Sequence, residues 1–283
     1  MPTNIITHRG LDPSRSPYFG ESSLEAFMDQ LSRGYGLEFD VQFSADGVMI
    51  AVHDGDLKRL TKGKDARKVS EVGSSEILEM DFGGAHLTTV PHVLSLISAA
   101  GGGRISALHL KSKWQEKEHL EALVAELEKA NVANLIVFDA KPSAARYLRD
   151  RMPDLAIAAS VAHPYDIERY NAAVGGTLLS VDEVLESGDY AWVWLDEWDR
   201  ADKDGGTKAL YTPEVFALFR SEGMKIALVT PELHASSPGL LGGEAHSDAK
   251  THESLMARIR EILALKPDAV CTDFPDEVRA LIA

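Results

Sequence analysis

Gly36-Leu37-Glu38-Phe39-Asp40-Val41-Gln42-Phe43 is a strand with two chemically different faces. Alternate residues of a strand share a face, so Glu38 and Asp40 point one way while Leu37, Phe39 and Val41 point the other. An apolar set that packs under helices and an acidic set that faces an axis describe a strand of a barrel. Near the carboxyl ends of barrel strands that axis opens into a mouth where chemistry is placed. Ile105–Lys111 repeats the arrangement, with His109 and Lys111 on one face and Leu108 and Leu110 on the other.

Outward from this segment the chain alternates short apolar strands with amphipathic stretches. Strands are expected at Asn4–Thr7, Gly36–Phe43, Val48–His53, Ile105–Lys111 and Leu135–Asp139. More follow at Ala156–Val161, Tyr190–Asp196, Lys225–Thr230 and Ala269–Thr272. Helices are expected over Ser22–Arg33, Val90–Ala99, Lys117–Ala130, Ser143–Arg151, Pro213–Ser221 and Glu253–Leu265. Leu120, Leu123, Val124 and Leu127 have the spacing of one buried helical face, and Thr212-Pro213-Glu214 is a helix start. Regular alternation implies a parallel sheet with helices outside it. With Val48–His53 set aside as an insertion after the second strand, eight strands remain, the number in a (β/α)8 barrel. A doubly wound open sheet is the alternative, since a strand count does not show closure. No Pro- or Ser-rich linker divides the chain, so one domain is expected over residues 1–283.

The 283 residues are 45% hydrophobic and 26% charged, as in ordinary globular proteins. The net charge of −15 argues against nucleic acid as a partner and against docking on an anionic membrane, so no stable membrane association is expected. A small anionic substrate remains compatible where a metal and a few cations reverse the local potential. No apolar run is long enough to cross a bilayer, and the first residues lack the basic and apolar segments of a signal peptide. Cys271 is the only cysteine, which excludes intrachain disulfides and, with the missing signals, sets a cytoplasmic expectation. Nothing in the sequence sets an oligomeric state.

Two carboxylates two residues apart on one strand face repel each other unless a cation lies between them. Hard divalent ions choose such oxygen ligands. The plainer alternative for Glu38 and Asp40 is salt bridging to Lys or Arg inside a barrel. His8 and Arg9 end the first strand before a turn at Gly10, and His53 follows the Asp46-Gly47 turn signal. Two histidines at strand ends beside an acidic pair weigh toward a site.

These residues resemble the glycerophosphodiester phosphodiesterase family. The matching text is His8-Arg9-Gly10, Glu21-Ser22-Ser23-Leu24-Glu25-Ala26-Phe27 and Leu37-Glu38-Phe39-Asp40-Val41. It continues through Asp46-Gly47, His53-Asp54, Leu57, Arg59 and Thr61, and resumes at Asp268–Pro275. The resemblance is dense over the first 61 residues, and in the middle it lies mainly in the strand–helix rhythm. It implies a TIM barrel and hydrolysis of a small phosphodiester with a divalent metal, most simply Mg2+ or Ca2+. His8 and His53 would be the acid–base pair, Arg9 and Lys111 would hold phosphate oxygens, and Glu38 and Asp40 would hold the metal. Two departures matter. His109-Leu110-Lys111 stands where the family has Glu-x-Lys, so a third carboxylate is replaced by an imidazole, which suits Mn2+ or Zn2+. Val229-Thr230-Pro231-Glu232 stands for Trp-Thr-x-Asn, and Glu232 is a candidate to supply the lost carboxylate.

Asp196, at the carboxyl end of the Tyr190–Asp196 strand, is a further site candidate. Trp192, Trp194 and Trp198 read as core packing or as an apolar wall for the substrate. Ser236–Ser247 reads as a lid or as a surface excursion, His234 as a plain loop residue, and Cys271 as inert core. Gly101-Gly102-Gly103-Arg104 precedes a strand rather than a helix and is a turn. Three functions follow: a glycerophosphodiesterase, a lysophospholipase D-like or inositol-phosphodiester enzyme, and a silent barrel that binds a phosphorylated ligand.

Overall fold

The computed structural model describes residues 3–198, 208–233 and 246–282. In chain order the strands are β1 (Asn4–His8), β2 (Gly36–Phe43), β3 (Met49–Ala51), β4 (Thr88–Thr89), β5 (Ser106–His109) and β6 (Leu135–Phe138). They continue as β7 (Ala156–Val161), β8 (Leu178–Leu179), β9 (Trp192–Leu195), β10 (Lys225–Val229) and β11 (Ala269–Thr272). The α-helices are α1 (Leu24–Ser32), α2 (Ser74–Glu79), α3 (Val90–Ala100), α4 (Lys117–Leu127) and α5 (Pro142–Arg151). They continue as α6 (Pro164–Tyr170), α7 (Val181–Ser187), α8 (Pro213–Ser221), α9 (His252–Ala264) and α10 (Pro275–Ile282).

β1 pairs in parallel with both β2 and β11, and this closes the sheet. Around the ring the order is β1, β2, β5, β6, β7, β9, β10 and β11, all parallel. The molecule is therefore a (β/α)8 barrel, and the open doubly wound alternative is excluded. Alternation along the strands sorts side chains as expected. Leu37, Phe39, Val41, Leu108 and Leu110 join the layer between sheet and helices. The interior is filled by Ala107, Ala158, Ala227 and Ala269 against Ile136, Phe138, Trp192 and Trp194. Small residues on some strands leave room for the two indoles from β9; Trp192 serves as core, and Trp194 is core that also reaches the cavity.

The insertion after β2 is larger than a single strand. β3 pairs antiparallel with β2, and β4 pairs antiparallel with β3. With α2 the segment builds its own core of Ile50, Val52, Leu57, Val69, Val72, Ile77 and Leu87. α2, α6, α7 and α10 are too short to show a periodic stripe; α6 and α10 begin with Pro, α7 is capped by Ser180, and α2 follows Gly73 with no side-chain cap. The expected Thr212 cap is present, its hydroxyl accepting from Val215 N.

At the start of β2 the neighbouring backbone leaves no room for a side chain. A Cβ on Gly36 would lie 1.8 Å from Ile105 O and 2.8 Å from Ile105 C. Gly36→Ala should lower the thermal midpoint by several degrees, since forced overpacking costs about 1–3 kcal/mol or more. An unchanged melting curve would contradict this strand register.

Candidate active site

The first turn places two site residues at once. Arg9 (φ 54°) and Gly10 (φ 73°) both take left-handed backbone, which bends the chain out of β1 directly after His8. Gly10 packs on α1: a Cβ there would sit 3.0 Å from Ala26 Cβ. Strand register then sets neighbours side by side. His8 lies opposite Glu38, Asp40 opposite His109, and His109 opposite Phe138.

His8, Arg9, Glu38, Asp40, His53, His109, Lys111 and Asp196 all line one cavity of about 470 Å³ at the carboxyl ends of the strands. Asp40 is its electrostatic centre. Its Oδ1 is 2.7 Å from Lys111 Nζ and 2.8 Å from His109 Nδ1, and its Oδ2 is 3.5 Å from Arg9 Nε. Burial alone would disfavour its charge, but Lys111, His53, the His109 hydrogen bond and Arg9 outweigh that and hold it well below the usual carboxylate range. Glu38 moves the other way: burial and the neighbouring Asp40 charge raise it. Its Oε2 accepts the Arg9 backbone N–H at 3.2 Å.

Each proposed acid–base histidine is held through Nδ1 by a carboxylate. His8 Nδ1 is 2.9 Å from Asp273 Oδ1, and His53 Nδ1 is 2.7 Å from Asp54 Oδ1. Burial, together with Lys111, pushes the His53 imidazole down to about 3. A chain of ion pairs ties the insertion to the barrel: Asp54 Oδ2 takes Arg59 Nε at 2.7 Å, Arg59 pairs with Glu21, and Glu21 Oε2 takes Arg9 Nη1 at 3.0 Å. His53 itself lies just past β3, and its carbonyl accepts from Gln42 Nε2 at 2.8 Å.

The residues fit a divalent cation. Glu38, Asp40 and His109 each offer a ligand atom, and these atoms lie within 4.8 Å of one another. Asp40 Oδ2 is buried and accepts no hydrogen bond. Two carboxylates with opposed pKa shifts and one imidazole form a mixed oxygen–nitrogen donor set of this kind.

Glu232 is placed differently. Its Oε1 accepts from Thr230 Oγ1 and Thr272 Oγ1, both at 2.6 Å, and from Asp273 N at 3.0 Å. It does not line the cavity, and it braces the segment carrying Asp273 behind His8. The carboxylate that does stand beside His109 is Asp139, 3.2 Å from His109 Nε2. Sequence reasoning passed over Asp139, although its place at a strand's carboxyl end was a usable signal. Asp273 was noted only as part of the last-strand resemblance, with no role attached.

One wall of the cavity is apolar: Phe138, Val174, Leu178, Trp194, Trp198 and Leu233. Phe138 stacks on Trp194 at 4.0 Å between centroids, and Trp198 packs on Tyr170. Cys271 lines the floor, and burial pushes its thiol well above its ordinary value, as for an inert core residue. Gly101–Gly103 form a turn that Arg104 ties by donating to Ala100 O, and they do not line the cavity. His234 and all but the last two residues of Ser236–Ser247 lie outside the described residues. Among the described residues no helix is long and apolar enough to cross a membrane.

The chain is similar to several known proteins. A glycerophosphodiester phosphodiesterase of Arabidopsis thaliana is 27% identical over 128 residues, 43% of this chain and 39% of that protein. The chain spans about two-fifths of the length of the curated relatives it matches. A solved structure from Galdieria sulphuraria superposes with a TM-score of 0.70 at 16% identity, covering 99% of this chain and 97% of the other. A phosphodiesterase from Oleispira antarctica, solved with the product sn-glycerol-3-phosphate, gives 0.66 at 19% identity, covering 99% and 97%. The Glycerophosphoryl diester phosphodiesterase family matches residues 8–277, which takes in every residue of the cavity described above, and the chain belongs to that family.

Proposed function

We propose that this protein hydrolyses small glycerophosphodiesters, releasing an alcohol and a phosphomonoester of the glycerol 3-phosphate type. The observation that carries the reading is the meeting of two carboxylate-held imidazoles, two cations and an acidic pair in one cavity. The family membership and the product bound to the Oleispira antarctica structure support it.

A phosphodiester resists attack because its charge repels nucleophiles and its alkoxide leaves poorly. A divalent cation at Glu38, Asp40 and His109, Mg2+ or Ca2+ by the carboxylates and Mn2+ or Zn2+ by the imidazole, would supply neutralisation of nonbridging oxygens. Arg9 and Lys111, already gathered on Asp40, bind the remaining phosphate charge. Asp273 and Asp54 accept from Nδ1 of His8 and His53, which orients each ring and leaves Nε2 to exchange a proton. One imidazole takes the proton of the nucleophile and the other gives one to the departing oxygen. The apolar wall excludes water and receives the alcohol.

That wall also favours a second reading, in which the alcohol carries an acyl chain as in a lysophospholipid. Purified protein should release alcohol from glycerophosphocholine or glycerophosphoethanolamine in the presence of a divalent metal. Turnover of lysophospholipids alone would select the second reading, and turnover of no diester with any metal would defeat both.

A further inference from the structure

We propose that Asp139 is the positioning residue for His109, committing its Nε2 so that Nδ1 is the nitrogen delivered to the metal; the proposal rests on the metal reading given above. His109 is wedged between two carboxylates from different strands. Nδ1 is 2.8 Å from Asp40 Oδ1, on the side of the metal-directed pair, and Nε2 is 3.2 Å from Asp139 Oδ2. Ionised carboxylates only accept, so here the ring donates from both nitrogens, Nδ1 to Asp40 and Nε2 to Asp139; a cation on Asp40 would take the place of the Nδ1 proton while Asp139 keeps the one on Nε2. His109 is one of three residues whose ligand atoms lie within 4.8 Å of one another, and Nδ1 is its nitrogen beside Asp40. Metal-binding histidines generally have the second ring nitrogen fixed by such an outer partner.

Three further features hold the arrangement. The His109 ring stacks on Phe138 at 4.6 Å and 19°, and Phe138 stacks in turn on Trp194 at 4.0 Å and 11°. With both nitrogens bonded and one face covered, the imidazole cannot turn over without breaking contacts. Asp139 itself has φ 65°, a left-handed backbone that few residues other than Gly, Asn and Asp adopt. This conformation is pinned from the loop after β5: Gln115 Nε2 donates to Asp139 O at 2.7 Å and to Leu110 O at 2.8 Å, while Gln115 Oε1 accepts from Lys141 N at 2.8 Å. The left-handed step turns the carboxylate back toward β5 instead of continuing the line of β6. A buried backbone held this way, one residue past the strand end, is where a functional demand is expected to show. The negative charge lacking at position 109 is thus supplied one strand away, acting through an imidazole.

The test is Mn2+ binding to the full-length protein, followed by pulsed electron paramagnetic resonance rather than by turnover. Wild type should bind Mn2+ and show a nitrogen coupling from a directly bound imidazole, and His109→Glu should bind Mn2+ without it. Asp139→Asn keeps the size and tolerates the left-handed backbone, so it should fold. It should weaken Mn2+ binding about 10–100-fold and diminish the nitrogen coupling. In the His109→Glu background there is no ring to orient, and Asp139→Asn should leave affinity nearly unchanged, losing only the weak attraction of a neighbouring charge. A purely structural Asp139 would weaken binding equally in both backgrounds, which would overturn the proposal. Wild type that binds Mn2+ with no nitrogen coupling would overturn it too, while leaving the metal reading standing. Wild type that binds no divalent metal would end both.

Discussion

Alanine in place of either His8 or His53 should lower diester turnover by about 10²–10⁴-fold, with circular dichroism showing a folded barrel. The size follows from the role proposed for each ring. Attack on a phosphodiester needs a proton removed from the nucleophile, and departure of an alkoxide needs one delivered. A group poised to do either lowers the barrier by about 3–5 kcal/mol. Neither ring contributes to the main apolar layers, which lie below the mouth and between sheet and helices. The fold should therefore survive, although His8→Ala leaves the buried Asp273 carboxylate without its imidazole partner. The effect should fall on kcat more than on KM, since Arg9 and Lys111, the proposed phosphate holders, are unchanged. Near wild-type hydrolysis of bis-p-nitrophenyl phosphate by either variant would remove that histidine from the mechanism.

Chelation should have an equally large effect. EDTA should abolish turnover, and titration of Mg2+, Ca2+, Mn2+ or Zn2+ into the stripped protein should restore it to different extents. The physical reason is the cost of holding Glu38 and Asp40 together. At separations below 4.8 Å two carboxylates repel by on the order of 3–4 kcal/mol for an effective dielectric near 20. Without a metal that conflict shows as opposed shifts: burial and the Asp40 charge raise Glu38, while Lys111, His53, His109 and Arg9 overcome burial to keep Asp40 ionised. A cation shared by both resolves it, and the same charge is what a diester phosphate requires. Turnover insensitive to chelator would discard the metal role of the pair and leave Asp40 as a salt-bridge hub for Lys111 and Arg9.

Much of the site was legible because its signals are local. Glu38 and Asp40 announce themselves by period-two alternation, His8 and Arg9 by standing at a strand end before Gly10, and Lys111 by sharing a face with His109. Those rules hold within a few residues of chain, and the structure places all of these side chains in one cavity. Glu232 shows where such reasoning stops. Its place after β10 put it near the mouth in sequence, but its partners Thr272 and Asp273 are some forty positions away, and they draw it behind His8. Short helices such as α6 and α7 escaped for a related reason, having too few turns for a periodic stripe to rise above noise.

The sequence by itself determined the strand–helix alternation, the faces of β2 and β5, and most of the polar side chains that the cavity gathers, because backbone pleating converts residue order directly into side. Only the tertiary structure decided that the sheet closes through β1 and β11, and which carboxylate each histidine keeps. His8 with Asp273 spans 265 positions and His109 with Asp139 spans 30. Partnerships of that range are set by strand register around the ring and by left-handed turns at strand ends, neither of which leaves a periodic trace in the chain.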